Sequence, residues 1–338
     1  MQTYLIKRKK MKKIILLCAP LVLFFSLFAN AENKKMGTRL WLSEGETEWS
    51  HCASDACGGS LADGTINGFS YTQYGDPTSQ LTYKDTKAKV LEIFGDFSLP
   101  EDDSVILSFK LGVGSGDGGS FRDKDWVMND AGVQKTFSDT LSDTRDTEVS
   151  YHVLDIGKTF ERDKFSFKPF IGYMKYEEEV NAYGLTYLED DLAYYGGGSS
   201  GVVSDYINTK VIKNEITWTG FRIGSELEYP IKEKSILVIN AAYVHDAKAD
   251  NDDSHVLRGD LGPAPNIFSD GKGDGIMLDL ILTHEQSSQL NFDVGYRYWK
   301  FDVDSSTTSF GPNHTTAFPG RSLYSERSGL IMGVSYKF

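Results

Sequence analysis

The chain has 338 residues, 40% hydrophobic and 25% charged, with 35 basic side chains against 48 acidic ones and a net charge of -13. That balance excludes a basic nucleic-acid binder, because neutralising phosphates takes a surplus of Lys and Arg. Eighteen Tyr, 20 Phe and five Trp exclude a disordered chain, which lacks the apolar surface to fold.

The first element is a targeting segment. Lys7, Arg8, Lys9, Lys10, Lys12 and Lys13 stand without an acid, Ile14 to Phe28 is apolar almost without break, and Ala29, Asn30 and Ala31 follow. A basic region, an apolar run and a small-x-small site make residues 1–31 a signal peptide. The run of roughly 15 residues is short of the ~20 that span a bilayer, so a membrane anchor is the weaker reading. Cys18 follows the bulky Leu17 and suits lipidation poorly. Loss of these six cations leaves an exported chain, 32–338, at a charge of about -19. Its two cysteines, Cys52 and Cys57, are five apart. In an oxidising compartment such a pair forms a local disulfide. A metal site with His51 would have too few ligands nearby.

Beyond residue 36 no stretch holds a helical period, and segments of period two follow one another. Val105, Leu107, Phe109, Leu111 and Val113 alternate with polar or small residues. So do Ile276, Leu278, Leu280 and Leu282, then Leu290, Phe292, Val294, Tyr296 and Tyr298, and at the end Leu330, Met332, Val334, Tyr336 and Phe338. Alternation gives each strand one apolar face. Ten strands are expected, at 37–49, 79–99, 104–116, 147–160, 165–179, 209–229, 235–250, 273–286, 289–305 and 322–338. Their connections alternate between tight (100–103, 161–164, 230–234, 287–288) and long (50–78, 117–146, 180–208, 251–272, 306–321). Short turns at one end, long loops at the other and an even strand number predict an all-β fold. It is a ten-stranded antiparallel transmembrane β-barrel with long extracellular loops, placed in the outer membrane. A secreted β-sandwich would not need strands this long or five long loops at one end.

Two of the long connections carry acids in patterns that suit catalysis. Asp123 and Asp125 are two apart, so both face one side of extended backbone. Crowded carboxylates repel, and one then keeps a proton. Asp253 and His255 are likewise two apart, and a carboxylate beside imidazole raises its basicity for activating water. Either cluster alone reads equally as a solvated acidic face or a weak Ca²⁺ site. Asp117, Asp270 and Asp274 among glycines keep calcium open, although no EF-hand loop is present. His51, His152, His245, His284 and His314 are scattered, and no Gly-x-Ser-x-Gly elbow occurs.

At these residues the sequence resembles the omptins, ten-stranded outer-membrane proteases. Their Gly-Gly then Asp-x-Asp-Trp pattern is matched by Gly118, Gly119, Asp123, Asp125 and Trp126, and their Asp-x-His by Asp253, Ser254 and His255. Ser79, Gln80 and Leu81, and the terminal Tyr336 and Phe338, are also omptin-like. The resemblance implies that Asp253 and His255 activate a water, that Asp123 and Asp125 complete the site, and that Ser142 is a bystander. It places Asp250, Asn251 and Asp252 where substrate is held. Omptins that cut beside basic residues carry an acid two positions before the catalytic Asp, where this chain has Asn251. Their matching acid in the first loop region is replaced near Thr72, Gln73 or Tyr74. The lipopolysaccharide-binding strand of the family has an Arg where Lys175, Tyr176 and Glu177 stand here. Lipopolysaccharide is the one cofactor the resemblance suggests; the partners it implies are outer-membrane lipid and peptide or protein substrates.

A broader likeness, through Trp41 to Trp49, Leu81 to Asp85 and Gly295 to Trp299, is to the omptin-related Pom-type porins of chlamydial symbionts. It makes a channel the alternative function. Glu92, Asp293, Arg297 and Lys300 are then interior charges that line a small pore or simply fill the lumen. Ten strands are too few for a wide one, since ~8 are filled by their own side chains and open porins use ~16. A surface adhesin using Tyr183, Tyr187, Tyr194 and Tyr195 is the third reading.

Overall fold

The computed structural model describes residues 34–54, 57–66, 68–188, 201–202, 206–311 and 316–338. The expected signal peptide, Tyr194, Tyr195 and His314 lie outside these. Fourteen strands follow in order: β1 (Lys34–His51), β2 (Ser60–Ile66), β3 (Phe69–Leu99), β4 (Asp102–Gly116), β5 (Ser120–Met128), β6 (Gln134–Lys158) and β7 (Phe160–Arg162). Then come β8 (Phe165–Tyr187), β9 (Gly201–Val202), β10 (Lys210–Lys232), β11 (Ser235–His255), β12 (Ile267–Glu285), β13 (Leu290–Phe310) and β14 (Thr316–Lys337).

Ten staves close into a ring, antiparallel throughout. β1 pairs with β3 on one side and with β14 on the other, so no edge is left. β4 and β5 form one stave, because both run between β3 and β6, β4 in the lower half and β5 in the upper. They are joined where Gly118 and Gly119 each take φ of +114°, a conformation that side chains with a Cβ rarely adopt. At the same level Asp85, Asp146 and Asp246 adopt positive φ, marking bulges in β3, β6 and β11.

The staves are longer than the hydrophobic pattern predicts. The stretches 120–128 and 134–146, expected as loop, are paired strand, and so are 180–187, 251–255, 267–272 and 306–310. The reason is the solvent. Below the bulges the outward face meets lipid and is apolar, with Leu91, Val113, Ile171, Phe221, Ile276, Leu280, Val294 and Leu330 exposed there. Above them it meets water, so the apolar alternation stops while backbone pairing continues.

The lumen is filled. Trp41, Tyr151, Tyr176, Trp218, Trp299 and Phe301 pack across it, each at most 3% exposed. Gly112 admits the Tyr151 ring, which a Cβ there would strike. The charges among these rings are neutralised in place. Arg297 grips Asp279 through Nε and a terminal nitrogen at 2.7 and 2.9 Å, donates to Glu92 at 2.7 Å and to the Tyr151 hydroxyl at 2.7 Å, and lies over the Trp299 ring. Arg39 binds Asp293 at 2.9 Å, and Arg327 binds Glu178 at 2.7 Å. Glu92, Asp293 and Arg297 therefore point inward as expected. Lys300 does not: it lies on the outer face over the Tyr324 ring, because it falls one residue out of phase with Arg297 and Trp299. Toward the short-turn end the interior keeps a cavity of about 30 Å³, enough for one water.

Replacing Arg297 by Leu leaves Asp279 and Glu92 buried without their main partner. The expected loss is about 3–5 kcal/mol, read as a lower urea midpoint in vesicles by Trp fluorescence. An unchanged midpoint would show that Lys110 and Arg39 suffice.

Candidate active site

The upper interior brings the two acid motifs together from different staves. Asp123 pairs in register with Leu81 of β3 and faces inward with it; Asp253 pairs with Asn214 of β10 and Ile267 of β12. Asp253 lies seven residues beyond the Asp246 bulge, roughly 20 Å along the strand at ~3.3 Å per residue. The site therefore stands well clear of the lipid belt, on paired strands rather than on loose loops.

Asp253 Oδ1 and His255 Nε2 face each other at 3.3 Å, but their alignment leaves neither in a formed hydrogen bond. The other oxygen, Oδ2, accepts from the Tyr83 hydroxyl at 2.7 Å and from Asn214 Nδ2 at 3.2 Å. Burial pushes the Asp253 pKa up to about 7 against the lowering by these bonds and by the nearby Trp49 indole. Burial also pushes His255 down to about 3, helped by Arg258 and His51. Both groups are then neutral just below pH 7. Once Asp253 ionises, its charge beside the imidazole raises the basicity of His255.

Asp123 faces this pair. Its pKa lies well above the usual carboxylate range, first through burial and then through Asp125 and Asp253. Ser79 reaches it at 3.5 Å. Asp125 stands next along the inward face, half-buried and opposite Ser79 and Ser138. The result is a carboxyl whose protonated form is favoured, opposite a neutral imidazole.

The backbone of His255 is clamped by Asn266, whose Oδ1 accepts from the His255 amide at 3.0 Å while its own amide donates to the Asp253 carbonyl at 3.1 Å. A second histidine lines the site. His51 is stacked on Trp49, meets Phe310 edge-on and has its Nδ1 3.1 Å from the Cys52 carbonyl. Burial pushes His51 down to about 4. Cys52 is bonded to Cys57, with Cα atoms 5.0 Å apart, so the disulfide closes the loop that leaves β1 beside His51. Asp76 lies near the two sulfurs, but a disulfide offers no thiolate to a metal.

The substrate-binding trio divides. Asn251 faces inward, 1% exposed, and accepts from Asn214 Nδ2 at 2.7 Å. Asp250 and Asp252, expected to hold substrate, lie on the opposite face of β11, and Asp250 is bound by Lys248 at 2.9 Å. Since Asp253 faces inward, period two sends 250 and 252 outward. Ser142 donates to the Gly184 carbonyl at 2.7 Å. Tyr183, expected as a loop contact, donates to Asp146 at 2.8 Å. Asn214, Asn266 and Arg258 were not marked from the sequence, and Tyr83, Trp49 and Ser79 fell in family-like stretches without being given a role in the site. They reach the site through ring closure or a distant turn, and no local pattern announces that.

No protein-family model matches the chain, and no curated protein matches it. Among solved structures, the outer membrane protease OmpT from Escherichia coli aligns with a TM-score of 0.68 at 15% identity, over 91% of this chain and 98% of that one. The translocator domain of the autotransporter NalP from Neisseria meningitidis covers 98% of this chain and 96% of its own, at 10% identity and a TM-score of 0.34. The P. putida toluene transporter TodX gives 92%, 91%, 6% and 0.29 in the same order.

The Tyr83 bond favours the charged form of Asp253, so removing it raises the pKa further. In Tyr83→Phe the carboxyl band of Asp253, followed by infrared difference spectroscopy against Asp253→Asn, is expected to titrate above about 7. A midpoint at or below that of the native protein would refute the bond's role. The alignment with OmpT carries the fold and not the chemistry: this chain is an omptin-like ten-stranded outer-membrane β-barrel.

Proposed function

We propose that the protein is an omptin-like endopeptidase of the outer membrane, exported by its signal peptide, which hydrolyses peptides or proteins at the outer rim of the barrel. The observation that carries this is the buried Asp253–His255 contact at 3.3 Å in the upper interior, facing Asp123, whose pKa burial and the neighbouring acids raise. In the step envisaged, His255 takes a proton from water as the hydroxide forms its bond to the substrate carbonyl carbon. Ionised Asp253 stabilises the imidazolium. Collapse of the tetrahedral species breaks the C–N bond, and Asp123 gives its proton to the leaving amine. The proton on His255 then returns to Asp123 through solvent, which resets the site. No acyl-enzyme forms.

The filled lumen weighs against the channel alternative. Trp41, Arg297 and Trp299 block the path that ions would take, and every lumen charge named above has a partner. Nothing in the described residues favours the adhesin reading.

Cleavage of a mixed peptide library by the refolded mature chain tests the proposal. Asp253→Asn is expected to lower kcat by about 100- to 10,000-fold. Equal turnover by the variant would refute the assignment. The pH profile supplies the sign. Asp253 must be ionised to support His255, so kcat/KM rises with pH with a midpoint near 7. A profile flat between pH 5 and 8 would contradict it.

A further inference from the structure

We propose that Arg258 is a further catalytic residue, whose guanidinium holds the negative charge that forms on the oxygen of the scissile carbonyl; this rests on the proteolytic reading. As hydroxide bonds to the carbonyl carbon, the π electron pair moves onto the oxygen. It returns when the C–N bond breaks and Asp123 gives its proton to the amine. The charge thus forms in a cleft walled by Asp123, Asp125 and Asp253. Like charges repel more in such a site than in water, so the step needs a donor or a cation aimed at that oxygen.

The backbone around the pair is already committed. The His255 amide donates to Asn266 Oδ1 at 3.0 Å, the Val256 amide to the Val211 carbonyl at 2.9 Å and the Arg258 amide to the His255 carbonyl at 3.1 Å. Asp123 sits in the middle of β5, whose backbone pairs with β3 on one side and β6 on the other. The neutral side-chain donors nearby are spent or sealed. Tyr83 donates to Asp253 and Ser79 to Asp123, while the Trp49 indole nitrogen and Asn251 Nδ2 are buried out of reach of a substrate.

Arg258 is placed for the task. It lies in the turn that follows β11, and Asn266 ties that turn to the strand through Nδ2 contacts to the Gly262 carbonyl at 3.3 Å and the His255 carbonyl at 3.4 Å. Leu261 anchors the turn against the apolar core. Asp260 accepts from Arg258 Nε at 2.9 Å and from Nη2 at 2.7 Å, which fixes the guanidinium plane. A guanidinium carries about five N–H donors in a rigid fork, so one carboxylate does not exhaust it. The Asp260 side chain is 62% exposed, so water screens much of its charge. The Arg258 side chain is 27% exposed and that of His255 12%, so both reach solvent from the cleft. The guanidinium is close enough to act on His255 and also on Asp123, which stands on β5 across the ring from β11. It therefore spans the gap between the base and the acid, where the substrate carbonyl must lie.

The test uses the refolded full barrel, a peptide that it cleaves and the matching peptide phosphonate, whose tetrahedral anion mimics the charged intermediate. Arg258→Gln is expected to lower kcat about 100-fold while KM stays within about threefold, because the contact is made only as the charge develops. The phosphonate should bind that variant about 100-fold less tightly than it binds the native protein. Arg258→Lys keeps the charge without the fork and should regain about tenfold of the lost kcat. Circular dichroism checks that each variant is folded. Unchanged kcat in Arg258→Gln, or phosphonate binding as tight as in the native protein, overturns the inference and leaves proteolysis standing. Absence of any cleavage by the native barrel overturns proteolysis, and this inference with it.

Discussion

Backbone pairing in lipid is the constraint on which the rest depends. A strand exposed to hydrocarbon has no water to satisfy its amides and carbonyls, so the sheet must close. Here closure is the pairing of β1 with β14, unbroken from Lys35 to Ser50. Once ten staves form a ring, the interior is narrow, and inward side chains must fill it. That requirement explains the aromatic layer of Trp41, Tyr151 and Trp299, and the arginines threaded between the rings with their carboxylates.

The filled lumen in turn makes the upper interior a rigid platform. β3, β5, β10, β11 and β12 rise past the bulges as continuously paired strands, so Asp123, Asp253 and His255 are held by sheet geometry. Tyr83 and Asn214 orient the Asp253 carboxyl from two neighbouring walls, and Asn266 holds the backbone of His255. Burial does the electrostatic part. It raises the pKa of Asp123 and lowers that of His255, which drives the titrations of the two groups apart within one cleft.

Much of this was legible in the chain. Ile276 to Leu282 and Leu330 to Phe338 alternate because one face meets lipid, and the tight turns at 100–103 and 287–288 set the stave count. The reach of the staves above the membrane was hidden, because strands wetted on the outside need no apolar outer face. The join of β4 to β5 at Gly118 and Gly119 looked like the start of a loop for the same reason. The two acid motifs were visible as local pairs. The orientation of Asp250 and Asp252 could have been read from the parity of Asp253. Tyr83 and Asn214 could not, since 170 and 39 residues separate them from Asp253 and only the closed ring brings them close.

Hydrolysis by a directly activated water is the central claim, and it has a direct isotopic readout. A peptide incubated with the refolded protein in water enriched in ¹⁸O should yield a new C-terminal carboxylate carrying one ¹⁸O in a single turnover. Intact-mass analysis of the protein during turnover should show no acyl adduct. A trapped adduct, or an absence of cleavage accompanied by ion conductance in a planar bilayer, would contradict the account.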